Sequence, residues 1–227
     1  MKTLHKEKTK RLVGLILLCT LIFSIGYAIT MFILSPEQAN HDQPYQKLKS
    51  DYLLMITQCI LGLVVMVLPT FLSRRWNIVV PNVIVILYYV FLYCAIYLGE
   101  VRNFYYLIPH WDDILHGFSG AMLGALGFIL VDLLNKNQSV RVQLSPFFVA
   151  LFAFCFALAM GALWEIYEFT FDMILGLNMQ KHTTEAGVSL VGIGALSDTM
   201  WDIIIDAGAA FAVSVIGFFA SRERRAG

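Results

Sequence analysis

The sequence predicts an all-α polytopic membrane protein with six transmembrane helices, and three observations carry that prediction. The 227 residues are 59% hydrophobic and only 14% charged, with a mean hydropathy of +0.71. Six apolar runs approach or reach the roughly 20 residues that cross a ~30 Å hydrocarbon core. Lys and Arg are distributed unevenly over the links between those runs. Each run is expected as a helix, because a spanning segment must satisfy its own backbone hydrogen bonds.

The elements follow in order. Leu12–Leu34 comes after the basic stretch Met1–Arg11; it is longer than the apolar region of a cleaved signal peptide and is expected as a retained helix. Pro36 and the polar residues to Ser50 end it. Tyr52–Leu72 contains Pro69, which should kink it, and closes on the turn Arg74-Arg75. Ile78–Leu98 is the third span, and Pro109 stops the link beyond it. Asp112 and Asp113 open the fourth, Ile114–Leu134. After the link Asn135–Ser145, the pair Ser145-Pro146 supplies a capping hydroxyl and a first-turn proline to Phe147–Leu163. Glu165, Glu168 and Asp172 extend that helix. Gly176–Ser197 is read as the longest loop, its apolar second half Ala186–Leu196 lying in the interface. Asp198, Asp202 and Asp206 lead into the sixth run, Ile203–Ala220.

With the N-terminus inside, twelve of the sixteen Lys and Arg residues fall on the cytoplasmic side. The outer side carries only Lys47, Lys49, Arg102 and Lys181. This positive-inside bias places both termini in the cytoplasm. The expected location is a membrane bordering the cytoplasm, crossed several times by the chain. Cys19, Cys59, Cys94 and Cys155 sit singly in apolar runs and form no CxxC pair, so buried thiols are expected rather than disulfides. No internal repeat, low-complexity tract or nucleic-acid signature is present.

The chain is read as a single domain, 1–227, in which the first three helices (1–111) are an apolar scaffold and the last three (112–220) carry the chemistry. In the fourth run, Gly117, Gly120, Gly124 and Gly127 form a stripe of small residues at helical spacing, and Ala207, Gly208, Ala209, Ala210 and Ala212 do the same in the sixth. Such stripes let helices approach closely, within the bundle or between copies of the chain.

Eight carboxylates occupy these last three segments: Asp112, Asp113, Glu165, Glu168, Asp172, Asp198, Asp202 and Asp206. No Lys or Arg lies among them, and His116 follows Asp112 by four residues. Ionisable groups in a bilayer are costly and usually mark function. Neighbouring carboxylates cannot all ionise together without protons or a bound cation. Spacings of three and four put Glu165, Glu168 and Asp172 on one helix face, and Asp198, Asp202 and Asp206 on another. Helix starts at Asp112 and Asp198 put His116 and Asp202 ~6 Å along their helices and Asp206 ~12 Å. Trp111, Trp164 and Trp201 mark the same level as an interfacial belt.

Bland roles compete at each position. Asp112, Asp113 and Asp198 suit helix capping, and Asp172 suits the headgroup region. Glu165, Glu168, Asp202 and Asp206 fall inside helices, where a protonated carboxyl bonded to a neighbour is the structural alternative. His110 and His182 are read as loop residues and Asp132 as a solvated one.

The patterns Asp112-x-Ile114-x-His116-x-x-x-Gly120, Glu165-x-x-Glu168 and Asp198-Thr199-x-Trp201-Asp202 resemble, in that order, the YjdF-like bacterial inner-membrane proteins. The resemblance covers Trp111 to Ala210, about half the chain. Asp206 is an acid outside that pattern. A looser similarity, through the Asp-x-x-x-His helix, is to VanZ-like proteins. The resemblance implies a bacterial cytoplasmic (inner) membrane location, the topology and the site, and no activity.

The residues suggest a divalent cation held by His116, Glu165, Glu168 and Asp202, with Asp112 orienting His116. Asp206 or Asp198 would then be the general base on a metal-bound water. Carboxylates suit hard cations and imidazole favours Zn, Mn or Fe, so the metal's identity stays open. The leading expectation is a metal-dependent enzyme acting on a lipid-linked or envelope substrate at the outer leaflet. Membrane lipids are the expected partners. The alternatives are a non-catalytic accessory protein with a structural cation or carboxyl network, and a proton- or metal-coupled transporter. No GxSxG, Ser-His-Asp set or HExxH is present.

Overall fold

The computed structural model describes residues 2–37, 47–76, 80–136, 144–184 and 188–226. Within them the chain is helical, and the one β feature is an isolated bridge between Thr183 and Ser189. The helices are α1 (Lys2–Leu34), α2 (Lys49–Met66), α3 (Leu68–Trp76), α4 (Asn82–Leu92), α5 (Phe104–Leu107), α6 (Trp111–Lys136), α7 (Pro146–Leu175) and α8 (Ile193–Ala226). A π-helical segment, Tyr93–Val101, continues α4. Among the described residues, six stretches are long and apolar enough to cross a membrane: 6–34, 49–75, 82–101, 111–134, 146–175 and 193–223.

Pro69 acts as expected. The second span breaks at Val67, between α2 and α3. Proline has no N–H to give the carbonyl four residues earlier. That carbonyl belongs to Val65, and the Tyr88 hydroxyl of α4 donates to it at 2.9 Å. Arg74 and Arg75, expected as a turn, are instead in the last turn of α3, because nothing before Trp76 interrupts the helix. Two other boundaries differ from expectation. The third span is described from Asn82, behind the extended Pro81, while Asn77–Val79 lie outside the described residues. The sixth begins at Ile193, five residues before Asp198, so the loop after α7 is shorter than expected and Asp198 is inside a helix rather than capping one. The apolar residues Ile193–Leu196 continue the helix because nothing in them interrupts it.

The chain forms two compact units, Met1–Trp111 with Phe171–Leu190, and Asp112–Thr170 with Val191–Gly227. The first is built on large side chains. Leu17, Leu21 and Ala28 of α1, Tyr52, Met55 and Cys59 of α2, and Val85, Tyr89, Leu92 and Ile96 of the third span form one core. Each set recurs at three, four or seven residues, so each helix contributes a single face. Asp172, in the last turns of α7, binds the chain that follows. Its carboxylate accepts hydrogen bonds from the backbone N–H of Met179 at 2.8 Å and of Gln180 at 3.0 Å, and His182 lies 3.5 Å away. Gly176 turns the chain out of α7 with φ +64°, a conformation that glycine adopts at little cost. Asp172 is therefore a loop anchor, which its sequence context left undecided. Asp132 is exposed.

Candidate cation site

The second unit is held together by close backbone approach. A Cβ on Gly120 of α6 would come within 2.6 Å of the Asp206 carbonyl oxygen and 2.9 Å of its Cα. A Cβ on Gly161 of α7 would come within 2.5 Å of Asp206 Oδ2. A Cβ on Gly127 would meet Ala153 Cα at 2.6 Å. Gly120 and Gly161 let α8 lie against α6 and α7 at Asp206, and Gly127 lets α6 lie against α7, as small residues do between helices in lipid.

That approach buries a polar group of residues. His116, Glu165, Asp202 and Asp206 are each no more than 6% exposed. Asp206 Oδ2 lies 3.2 Å from His116 Nδ1, and Ser119 Oγ is 3.0 Å from Asp206 Oδ1 and 2.9 Å from the His116 carbonyl. The other ring nitrogen, Nε2, faces three carboxylates. Asp112 Oδ1 and Asp202 Oδ1 are each 3.8 Å from it, and Glu165 Oε1 is 3.9 Å away. An Nδ1–H given to Asp206 leaves the Nε2 lone pair directed at those oxygens. This is the arrangement of a metal-binding histidine steadied from behind by a carboxylate.

His116, Glu165 and Asp202 offer ligand atoms within 4.8 Å of one another, and so do Asp112, Asp198 and Asp202. Asp202 is common to both sets. Donor atoms around one tetrahedral cation at ~2.0–2.2 Å stand about 3.4 Å apart, so the first set would have to draw together by up to about 1.4 Å on binding. Four carboxylates around one imidazole, with no Lys or Arg in these parts of the helices, leave a surplus of negative charge for a cation or protons to offset.

The structure places the expected residues differently around the His116 ring. Asp206 occupies the orienting position behind His116 that the spacing suggested for Asp112. Asp112 stands on the opposite side of the ring, on the ligand side, with its side chain 27% exposed. The reason is helix rotation: an i, i+4 neighbour shares a face of α6, but α8 comes close enough to reach Nδ1. Because α8 begins at Ile193, Asp202 and Asp206 lie ~14 and ~20 Å along it rather than ~6 and ~12 Å. Glu168 is half-buried, makes interactions of its own and belongs to neither ligand set. Asp198 is half-buried and belongs to the second set. Ser119 was not singled out from the sequence; its position three residues after His116 was the available signal.

No solved structure matches the chain. A Thermotoga maritima protein described as an uncharacterized protein is 34% identical over 109 residues. That match covers 48% of this chain and 48% of the relative, so the alignment spans about half the length of each. It adds nothing to the looser VanZ-like similarity. Residues 15–223, with all six spans represented, match the sequence model described as "Predicted membrane protein (DUF2238)". The chain, an all-helical polytopic membrane protein, belongs to the DUF2238 family.

Proposed function

We propose that this protein binds one divalent cation at His116, Glu165 and Asp202, and uses it to activate water against a lipid-linked or envelope substrate. The observation that carries the proposal is the two-sided environment of His116: Nδ1 is engaged by Asp206, and Nε2 faces carboxylates from all three helices of its unit. Asp112 completes the cation's surroundings. Asp206 is committed to His116 and Ser119. The role of base toward cation-bound water therefore passes to Asp198, which shares the Asp112 and Asp202 group. The uneven distribution of Lys and Arg supports an extracytoplasmic opening in a bacterial cytoplasmic membrane. The YjdF-like resemblance is compatible with the family match.

The burial of His116, Glu165 and Asp202 favours a second reading, in which the cation is structural and the protein is an accessory or binding component. One experiment addresses both. Metal content is measured on detergent-purified protein, beside Glu165→Gln and Asp202→Asn variants that remain monodisperse. About one metal per chain, falling at least tenfold in the variants, supports the site; no metal after metal-replete purification overturns it. Variants that unfold when the metal is lost favour the structural reading. Variants that stay folded justify screening lipid-linked substrates.

A further inference from the structure

A groove in the first unit carries a different chemistry. α1 and the π-helical segment Tyr93–Val101 border a cavity of about 790 Å³. Phe23, 77% exposed, gives it an apolar wall, and Ser24, Tyr27 and Tyr97 add hydroxyls. Lys47 and Arg102 also line it, each just beyond the end of a span, and no carboxylate is among its described lining residues. Neither cation forms an ion pair among the described residues. The π-helical wall is unusual. Its turns close on the fifth residue, as in the 2.8 Å bond from the Arg102 N–H to the Tyr97 carbonyl, and π segments are often found at functional sites.

Lys47 and Arg102 are two of the four Lys and Arg residues that the charge distribution assigns to the outer face. A pair of cations where an apolar, hydroxyl-dotted groove meets the membrane boundary is complementary to an amphiphile with an anionic head. We propose that this groove binds a lipid with an anionic phosphate headgroup, the phosphate between Lys47 and Arg102 and the chain along the Phe23 wall. Each cation near a membrane surface contributes about fivefold to anionic-lipid binding, so the pair contributes about 30-fold. Buried chain area adds to this, which distinguishes a lipid from a free anion.

The test uses full-length protein in zwitterionic detergent, with native mass spectrometry of bound phosphatidylglycerol against phosphatidylcholine of the same chains. The variant is Lys47→Ala/Arg102→Ala, and Lys49→Ala, which removes a cation already ion-paired with Glu37 and outside the groove, is the control. Phosphatidylglycerol should bind about 30-fold more weakly to the first variant and unchanged to the second. Phosphatidylcholine should be indifferent to both. Equal binding of the two lipids to the wild type, or no loss in the first variant, overturns the proposal. So does displacement of phosphatidylglycerol by equimolar inorganic phosphate, which would identify an ion site rather than a lipid site. If the double variant does not fold, a wild-type salt series decides: affinity for phosphatidylglycerol must fall with ionic strength, and a flat series overturns the proposal. The proposal is independent of the cation site, so Glu165→Gln should leave lipid binding intact.

Discussion

The two units achieve compactness by opposite means. The first interlocks large side chains: Tyr89 lies over Gly14, and Leu21 and Ile96 crowd Gly62. The second brings backbones together at Gly120 and Gly127, seats the Asp206 side chain against Gly161, and buries a histidine with carboxylates there. Lipid tails are as apolar as leucine, so burying leucine gives membrane helices little reason to associate. Shape, polar contacts and close approach must do so. The first unit relies on shape. The second adds a polar group that is costly unless its charges are offset by a cation or by protons.

The same contrast separates two buried carboxylates of neighbouring helices. Asp172 is satisfied by two backbone N–H groups and serves the loop after its own helix. Asp206 is satisfied by a side chain that could itself bind a cation, together with the Ser119 hydroxyl. Burial alone does not distinguish the roles of these residues. The partner does.

Five substitutions break or sharpen the comparison. The largest effect is expected at Asp206→Ala, which removes the acceptor for His116 Nδ1 inside the buried group. Breaking such a pair costs about 3–5 kcal/mol. The milder Asp206→Asn should fold and lose about 10–100-fold in metal affinity, as substitutions behind a metal-binding histidine do. Metal titration of that variant checks the assignment, and unchanged affinity would return Asp206 to a purely structural role.

Next in size is a pair of glycine substitutions. In Gly120→Ala the new Cβ meets backbone of α8 that cannot move alone, and overpacking should cost about 3 kcal/mol. In Gly62→Ala it meets the ends of Ile96 and Leu21, which can rotate away, and about 1 kcal/mol is expected. Thermal unfolding in detergent measures both, and equal losses would erase the distinction between the two packing modes. The smallest effect on global stability is expected from Asp172→Ala, at about 0.5 kcal/mol, because the loss is confined to the loop. Faster hydrogen exchange at the Met179 and Gln180 amides, with metal content unchanged, would separate this carboxylate from the cluster.

Much of this was legible in the residues. Apolar run length announced the six spans, Pro69 announced the break at Val67, and charges without basic partners pointed to His116, Glu165 and Asp202. What was not legible shares one physical origin. Helical periodicity tells which residues of one helix share a face, but not how far a neighbour is rotated or slid along it. That missing information exchanged the positions of Asp112 and Asp206, left Glu168 outside the ligand sets and hid Ser119. It also obscured the loop anchored by Asp172, whose partners are backbone groups that have no sequence signature.

The sequence by itself determined that the chain is helical, that six segments suit a membrane, and which side chains are too costly to bury without a purpose. These follow from local chemistry: run length, hydrogen bonding within each helix, and the price of a charge in hydrocarbon. Only the tertiary structure decided which carboxylate holds the histidine and which three it faces. Those choices depend on the offset between helices, which glycines set by admitting one backbone against another.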